Sequence, residues 1–462
     1  VGSNRPGRGT AIFSLTNSGI PTYLEQYDGI GGDGSEYEDV EVYDGIGYFA
    51  ADVSPSGTGT GVDIVDLSIP FDPVHLSRVN SSDCLVGNPG VCAHNKVHTL
   101  SIQRINPDTP SEQRFLYTSD NESSVVKITN VTNPASPQLV NSLSFLGVAG
   151  VDSSVDSHEV AVRNNRLYVA SKDPGNTSGE GYVHIYDVSN PATPVLLKGF
   201  LSGASTHTAM PTEDGNTLII AEERLNGNVK IYDISMIDQP NDPQNPILRA
   251  TLNTTNVCHN GDCIEAHTPH HVHTYGNLLF LPWYEAGLQV FNIANPAAPV
   301  YVGAFDTFLG GPPSGNSACG GGAIGNSANC SGNWGVDLSR GLDQVLLSDR
   351  QRGLIVVDAT GVVARGDYDM NMLVNDADHA KWIQVFGTDS SGVHDAPLGD
   401  GNYDEIVDAA DYVIWRKFNG TSGPGSFVGG SFSTSPGVPE PTTMLLLAVG
   451  GGLVVAQRRG RR

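Results

Sequence analysis

The chain has 462 residues, 50 acidic and 25 basic, which leaves a formal charge of −25 at pH 7. Nucleic acid and anionic membrane surfaces are bound through a cationic footprint, so this balance excludes both as principal partners. The 55 glycines and 28 prolines favour many turns and short strands over long helices.

In chain order, the strongest internal signal is a repeated strand-turn-strand unit. Clear copies are GVDIVDLSIPFDPVHLSRV (61–79), VVKITNVTNPASPQLVNSL (125–143), YVHIYDVSNPATPVLLKGF (182–200) and LQVFNIANPAAPVYVGAF (288–305), with a variant at 228–252. Weaker copies are AIFSLTNSGIPTYLEQY (11–27) and GLIVVDATGVVARGD (353–367). Each joins a β-branched strand to a second one through a turn rich in Asn and Pro, where the missing proline N–H costs no ladder bond. Most copies are preceded by two further strands. One set is NNRLYVAS (164–171), NTLIIAEE (216–223), NLLFLPWY (277–284) and DQVLLSD (343–349); the other is a shorter segment opening at His98, His158, His207 or His270. Four antiparallel strands per unit predict an all-β propeller of about seven blades, the first incomplete.

The six cysteines fall into neighbouring pairs, Cys84/Cys92, Cys258/Cys263 and Cys319/Cys330, each bracketing a Gly/Asn-rich stretch. Closing a short loop has a small entropic barrier, so three local disulfides are expected. No pair has the CxxC spacing of a zinc ribbon. An oxidising, extracytoplasmic compartment follows. Such a protein needs a signal peptide, and none opens the chain at Val1, so a processed or missing N-terminal portion is expected.

These units resemble the LVIVD-repeat propellers, especially the choice-of-anchor B type of bacterial surface proteins. The carriers are IVDLS, IYDVSNPATPV, THTAMPTEDGNTLIIAEE, GNLLFLPWYEAGLQVFNIA and NWGVDLSRGLDQVLLSDRQRGLIVVD. The resemblance implies a propeller over residues 1–363 and a surface location, and it brings no established reaction.

Beyond residue 363 the pattern changes. DYDMNMLVNDAD (367–378) and DGNYDEIVDAAD (400–411) share oxygen side chains at loop positions 1, 3, 5, 9 and 12, the spacing that wraps a loop around Ca²⁺. The expected ligands are Asp367, Asp369, Asn371, Asn375 and Asp378, then Asp400, Asn402, Asp404, Asp408 and Asp411, with the carbonyls of Leu373 and Ile406 at position 7. Val374 and Val407 are expected to face the core, and each loop runs into a short helix. Residues 364–421 resemble a dockerin module, small and all-α, of the kind found on planctomycete surface proteins. The resemblance implies a cohesin-like protein partner. One departure is Met372 and Glu405 at position 6, usually Gly. A non-Gly residue at that sharp turn costs roughly 1 kcal/mol and would weaken ion binding.

A Gly/Ser/Pro linker (422–437) leads to 438–462, which resembles a PEP-CTERM sorting tail: Val438, Pro439, Glu440 and Pro441, an apolar helical stretch, and terminal arginines. The resemblance implies recognition and removal by an exosortase. The apolar run, Met444 to Ala456, is shorter than the ~20 residues of a stable span. Membrane association is therefore expected only through this tail; the alternative is a plain anchor.

Residues 267–273 read HTPHHVH. Aligning the short segments places Glu38, His98, His158, His207, His270 and Trp334 at equivalent positions on the innermost strands, so these six should meet at the central channel. His267, His271 and His273 are extra imidazoles in the incoming loop, and His94 is an alternative to His98. Three roles stay open: imidazoles bonding backbone between blades, a transition-metal site such as Cu or Zn, or catalysis with Glu38, Glu159 or Glu265 as acid–base. No catalytic motif for a serine hydrolase, zinc protease, P-loop or dinucleotide fold is present. Glu222 and Glu223 are adjacent on a strand and point to opposite faces, so they do not make a glycosidase pair. The preferred expectation is a secreted or surface-displayed binding protein, its propeller offered to a protein, matrix or glycan. The rival is an extracellular enzyme, either using a channel metal as oxidase or hydrolase, or acting on polysaccharide.

Overall fold

The turns set the register of the repeat. Asp66, Asn130, Asp187, Asp233 and Asn292 end the third strand of five successive units, and each side chain accepts a hydrogen bond from the backbone N–H two residues on. This local bond replaces the ladder partner that the turn removes. The preceding hairpins close through two residues in the left-handed region, Asp44-Gly45 and Asn164-Asn165. That conformation matches the right-handed twist of the flanking strands.

The computed structural model describes residues 9–16, 19–29, 36–53, 61–145, 155–172, 180–224, 226–239, 246–253, 258–259, 262–263, 268–308, 332–389 and 397–422. They form a six-bladed β-propeller with two short helices at its C-terminal side. Blade 1 comprises Glu36–Tyr43, Ile46–Val53, Gly61–Asp66 and Val74–Val79; blade 2 comprises Thr99–Ile105, Gln113–Ser119, Val125–Asn130 and Gln138–Ser144. Blade 3 runs through Asp156–Arg163, Arg166–Lys172, Gly181–Asp187 and Val195–Gly203. Blade 4 follows with Thr206–Pro211, Thr217–Glu222, Val229–Asp233 and Ile247–Leu252, and blade 5 with His273–Tyr275, Leu278–Pro282, Leu288–Asn292 and Val300–Phe305. Blade 6 has three strands, Asn333–Asp337, Val345–Asp349 and Gly353–Val357. Within every blade the strands pair antiparallel in sequence order.

The blade count corrects the sequence expectation of about seven. Among the described residues the first weak copy forms only a two-stranded sheet, Thr10–Leu15 with Pro21–Tyr27, without inner strands. It lies against blade 1, where Tyr27 meets Phe49 and Tyr37 at ring-centroid distances of 5.4 and 6.1 Å. The last weak copy contributes one strand. Its expected second strand is a short 3-10 turn, Thr360–Val362, because Val362 is buried against Val336, Val345 and Val357 instead of pairing at an edge.

The core lies between the blades. One apolar cluster joins Tyr168, Val183 and Ile185 of blade 3 to Ile219 and Ile231 of blade 4 and to Leu279, Trp283 and Phe291 near blade 5. The disulfide Cys84–Cys92 is formed. Cys258 and Cys263 are backbone partners in a two-stranded sheet, while Cys319 and Cys330 lie outside the described residues.

Helices α1 (Asp376–Val385) and α2 (Ala409–Phe418) follow the two twelve-residue loops. The loops do not hang free of the propeller. Met370 and Leu398 share an apolar cluster with Tyr275, Leu278 and Val336 of blades 5 and 6. Asn277 and Asn292 donate to the carbonyls of Asp369 and Met370, both at 2.6 Å. The linker beyond Ser422, the sorting motif and the expected apolar C-terminal helix lie outside the described residues. No helix among the described residues is long and apolar enough to cross a membrane.

Candidate functional site

One irregularity recurs at the hub. The register between the first and second strands slips at Glu38, His158, His207 and Trp334, so each lacks a cross-strand partner. A β-bulge turns the bulged side chain away from the normal alternation. His98 and His270 reach the same place from just before their strands, their N–H groups held by the carbonyls of Ser119 and Pro282.

The result is a continuous arc of rings. Centroids are 4.6 Å apart for His98–His158, 4.2 Å for His158–His207, 4.2 Å for His207–His270 and 4.8 Å for His270–Trp334. Residues from five blades, distant in sequence, thus converge on one centre. Glu38, at the matching position of blade 1, acts electrostatically on His98.

A second tier comes from the ends of the second strands: Asp52, Lys172, Glu223, Tyr284 and Arg350. Asp52 lies 3.4 Å from His98 Nδ1, and Arg350 sits 4.3 Å above the Trp334 ring. Glu223 occupies the middle. Its Oε2 is 3.6 Å from His207 Nε2 and 3.5 Å from Lys172 Nζ; its Oε1 is 3.7 Å from His270 Nε2 and accepts a 2.9 Å bond from the Tyr284 hydroxyl. Glu222 points the other way, to Lys230 and Arg224, as strand alternation requires. Neither Lys172 nor Glu223 is among the residues that the sequence places at the channel; Glu223 stands there only as half of a dismissed carboxylate pair. A signal existed: the residue closing each second-strand apolar run is polar or charged in every unit.

Electrostatics separate the members of the arc. Burial disfavours a charged His98, yet Asp52 and Glu38 outweigh it and its pKa is raised. Burial, reinforced by nearby cations, drives His158 and His207 well below the ordinary imidazole range, and His270 falls to about 3 despite Glu223. Burial also lifts Glu159 to about 6. Glu159 lies beside the hub, 3.4 Å from His207 Nδ1 and 3.6 Å from His271 Nε2. His94 lies apart, beside Thr118 and Asp120, so it does not substitute for His98. His273 faces the carbonyl of Thr274. His267 and Glu265 lie outside the described residues.

The two C-terminal loops are near-copies. In the first, Asp367 accepts from the N–H groups of Asn371 and Met372, and Asp378 from Tyr368, Asp369 and Asn375. In the second, Asp400 accepts from Asp404 and Glu405, and Asp411 from Gly401, Asn402 and Asp408. Asn375 and Asp408 are the helix N-caps, forming capping boxes with Asp378 and Asp411. Asp369, Asn371, Asn402 and Asp404 complete the side-chain oxygens along the loops. Met372 and Glu405 adopt φ of 73° and 71°, so the position-6 turn forms without glycine. Val374 and Val407 are buried.

Two tryptophans tie the loops together reciprocally. Trp382 on α1 donates to the carbonyl of Asp408 at 2.9 Å, and Trp415 on α2 donates to that of Asn375 at 2.7 Å. Chemically the loops fit a hard cation. Carboxylate oxygens of Asp367, Asp369 and Asp378 lie within 4.8 Å of one another. Burial and neighbouring carboxylates raise Asp367 to about 7, and burial raises Asp400 to about 6. Anions crowded this way are relieved by a divalent ion.

The blades and their hub define a six-bladed β-propeller. Residues 107–247 match the family model described as the choice-of-anchor I domain, where the sequence motifs had suggested the B type. No curated protein matches the sequence. Among solved structures, the chain is similar to a periplasmic gluconolactonase of Pseudomonas aeruginosa, with 15% identity, a TM-score of 0.50, and coverage of 78% of this chain and 90% of that one. It is also similar to a putative 6-phosphogluconolactonase of Bacteroides fragilis, with 10% identity, a TM-score of 0.51, and coverage of 77% and 88%. At these identities the likeness speaks for the fold alone. The choice-of-anchor match and the Cys84–Cys92 bond point to an extracytoplasmic surface protein.

Proposed function

We propose that this chain is a surface-displayed binding protein: a propeller carried by a calcium-dependent, dockerin-like docking module. The observation that carries this reading is the duplicated loop pair. Two sets of five oxygen-bearing side chains share one hydrogen-bond pattern, each closing on the capping box of a helix. Asp367, Asp369, Asn371, Asn375 and Asp378 would hold one Ca²⁺, with Leu373 O. Asp400, Asn402, Asp404, Asp408 and Asp411 would hold the other, with Ile406 O. The ion supplies charge neutralisation, and the loops supply a rigid pair of helices. The partner would be a cohesin-like module, and the tail an exosortase substrate; the propeller would face a glycan or matrix protein.

Calcium titration of the full chain tests it. Two equivalents should bind, with Asp378→Asn and Asp411→Asn each removing one. No binding at millimolar Ca²⁺ would sink the docking reading. A second reading, an extracellular enzyme, draws support from the buried imidazole–carboxylate hub. Turnover of lactones, glycans or phenolic substrates, abolished by His207→Ala, would favour it.

A further inference from the structure

The hub imidazoles are not interchangeable, and their hydrogen bonds assign their tautomers. His270 Nδ1 lies 2.7 Å from the Trp334 carbonyl, which only accepts, so Nδ1 carries the proton. His158 Nδ1 lies 2.8 Å from Asn121 Oδ1, which also accepts. Thr208 gives its hydroxyl proton to Glu159 Oε2 at 2.8 Å, so its oxygen accepts from His207 Nδ1 at 3.0 Å. All three histidines therefore carry a bare Nε2, and a protonated Nδ1 held by an outer partner is the arrangement that orients metal-binding imidazoles.

Two of these rings meet a single carboxylate. One ring nitrogen each of His158 and His207 and a carboxylate oxygen of Glu223 lie within 4.8 Å of one another. His270 Nε2 approaches the same carboxylate at 3.7 Å. Lone pairs and an anion facing each other repel unless a cation stands between them. The cation present is the Lys172 ammonium, 3.2 Å from His158 Nε2 and 3.5 Å from Glu223 Oε2. It answers His158 and Glu223. His207 Nε2 and His270 Nε2 face Glu223 oxygens at 3.6 and 3.7 Å, beyond hydrogen-bond length. Ligands about 2.1 Å from a tetrahedral ion stand roughly 3.4 Å apart. The observed 3.6 Å from Glu223 Oε2 to His207 Nε2 is close to that spacing and long for a hydrogen bond.

We propose that the hub is a transition-metal site for a divalent ion of the zinc or copper class, with His158, His207 and Glu223 as ligands, His270 flanking them beside Glu223, and Lys172 as the resident cation it displaces. Two imidazoles and a carboxylate suit those ions, whereas calcium prefers an all-oxygen shell. Tyr284 is a positioning residue that fixes the Glu223 carboxylate. His98 and Trp334 flank the site without serving it, one engaged by carboxylates and the other covered by Arg350. The proposal rests on the hub and not on the calcium loops, so the two readings fail separately.

The test is titration of the chelator-stripped full chain with Zn²⁺ and Cu²⁺ in millimolar Ca²⁺, followed by electron paramagnetic resonance of the copper form. One equivalent should bind beyond calcium, with hyperfine splitting from two or more nitrogens. His207→Gln, checked for native circular dichroism and calcium uptake, should weaken binding by at least about 100-fold. Lys172→Met removes a competing charge and should tighten binding about tenfold. His98→Gln should leave affinity unchanged. Absence of binding in both the native protein and Lys172→Met would overturn the proposal. So would undiminished affinity in His207→Gln, or copper signals without nitrogen splitting.

Discussion

The hub and the C-terminal loops both gather ligating side chains, but they do so by opposite routes. Each loop collects its oxygens within twelve consecutive residues, 367–378 and 400–411, and its geometry is closed by hydrogen bonds among those same residues. The hub draws His158 and His207 from two blades and Glu223 from the end of a neighbouring strand. A local site survives as long as its loop does. An assembled site exists only when the disc closes, so its stability is that of the whole propeller.

Breaking the local site should have the largest effect. In Asp378→Ala, three backbone N–H groups lose their acceptor and α1 loses its capping box, a cost of about 3 kcal/mol. Chemical denaturation should show that loss while copper or zinc uptake at the hub persists. Met370→Ala sharpens the comparison from the other side. Its side chain is buried with Tyr275, Leu278 and Val336, so about 2–3 kcal/mol of the contact that seats the loops on blades 5 and 6 should be lost. An unchanged melting curve for the helical signal would mean that this contact does not hold the loops in place.

Acid should move the two regions in opposite directions when no metal is bound. His270, held near 3 in the fold against 6.5, contributes stability that is present above pH 6.5 and lost as pH falls toward 3. His158 and His207, depressed well below 6.5, act in the same sense. Asp367, raised to about 7 from 3.8, contributes stability present below 3.8 and lost as pH rises through 7; Asp400 follows through about 6. Calcium-free helix stability should therefore be greater at pH 5 than at pH 8, and tertiary propeller signals should do the reverse. Identical pH profiles for both signals would contradict this division. The smallest effect expected is from Trp415→Phe, which removes one hydrogen bond to Asn375 O and about 1 kcal/mol, measured as a shift in the calcium-loaded melting curve.

Particular residues explain what was legible beforehand. The bulged positions Glu38, His158, His207 and Trp334 stood out because the bulge recurs at one point of a repeating unit, so alignment within the chain finds it. Lys172 and Glu223 were harder, because they differ in charge and share only their place at the end of an apolar run. The blade number was misjudged at the two ends. Residues 11–27 and 353–367 carry the repeat's pattern, yet a hairpin without inner strands and a buried 3-10 turn satisfy the same apolar residues.

By itself the amino-acid order determined the strand units, their Asx-closed turns and the oxygen spacing of both C-terminal loops. Each of these is set by neighbours a few residues apart, through dihedral preference and local hydrogen bonding. Only the tertiary structure decided how many units complete the disc, which imidazole nitrogens stay bare, and that a lysine and a glutamate share their centre. Those outcomes depend on contacts between blades, whose distances no sequence spacing encodes.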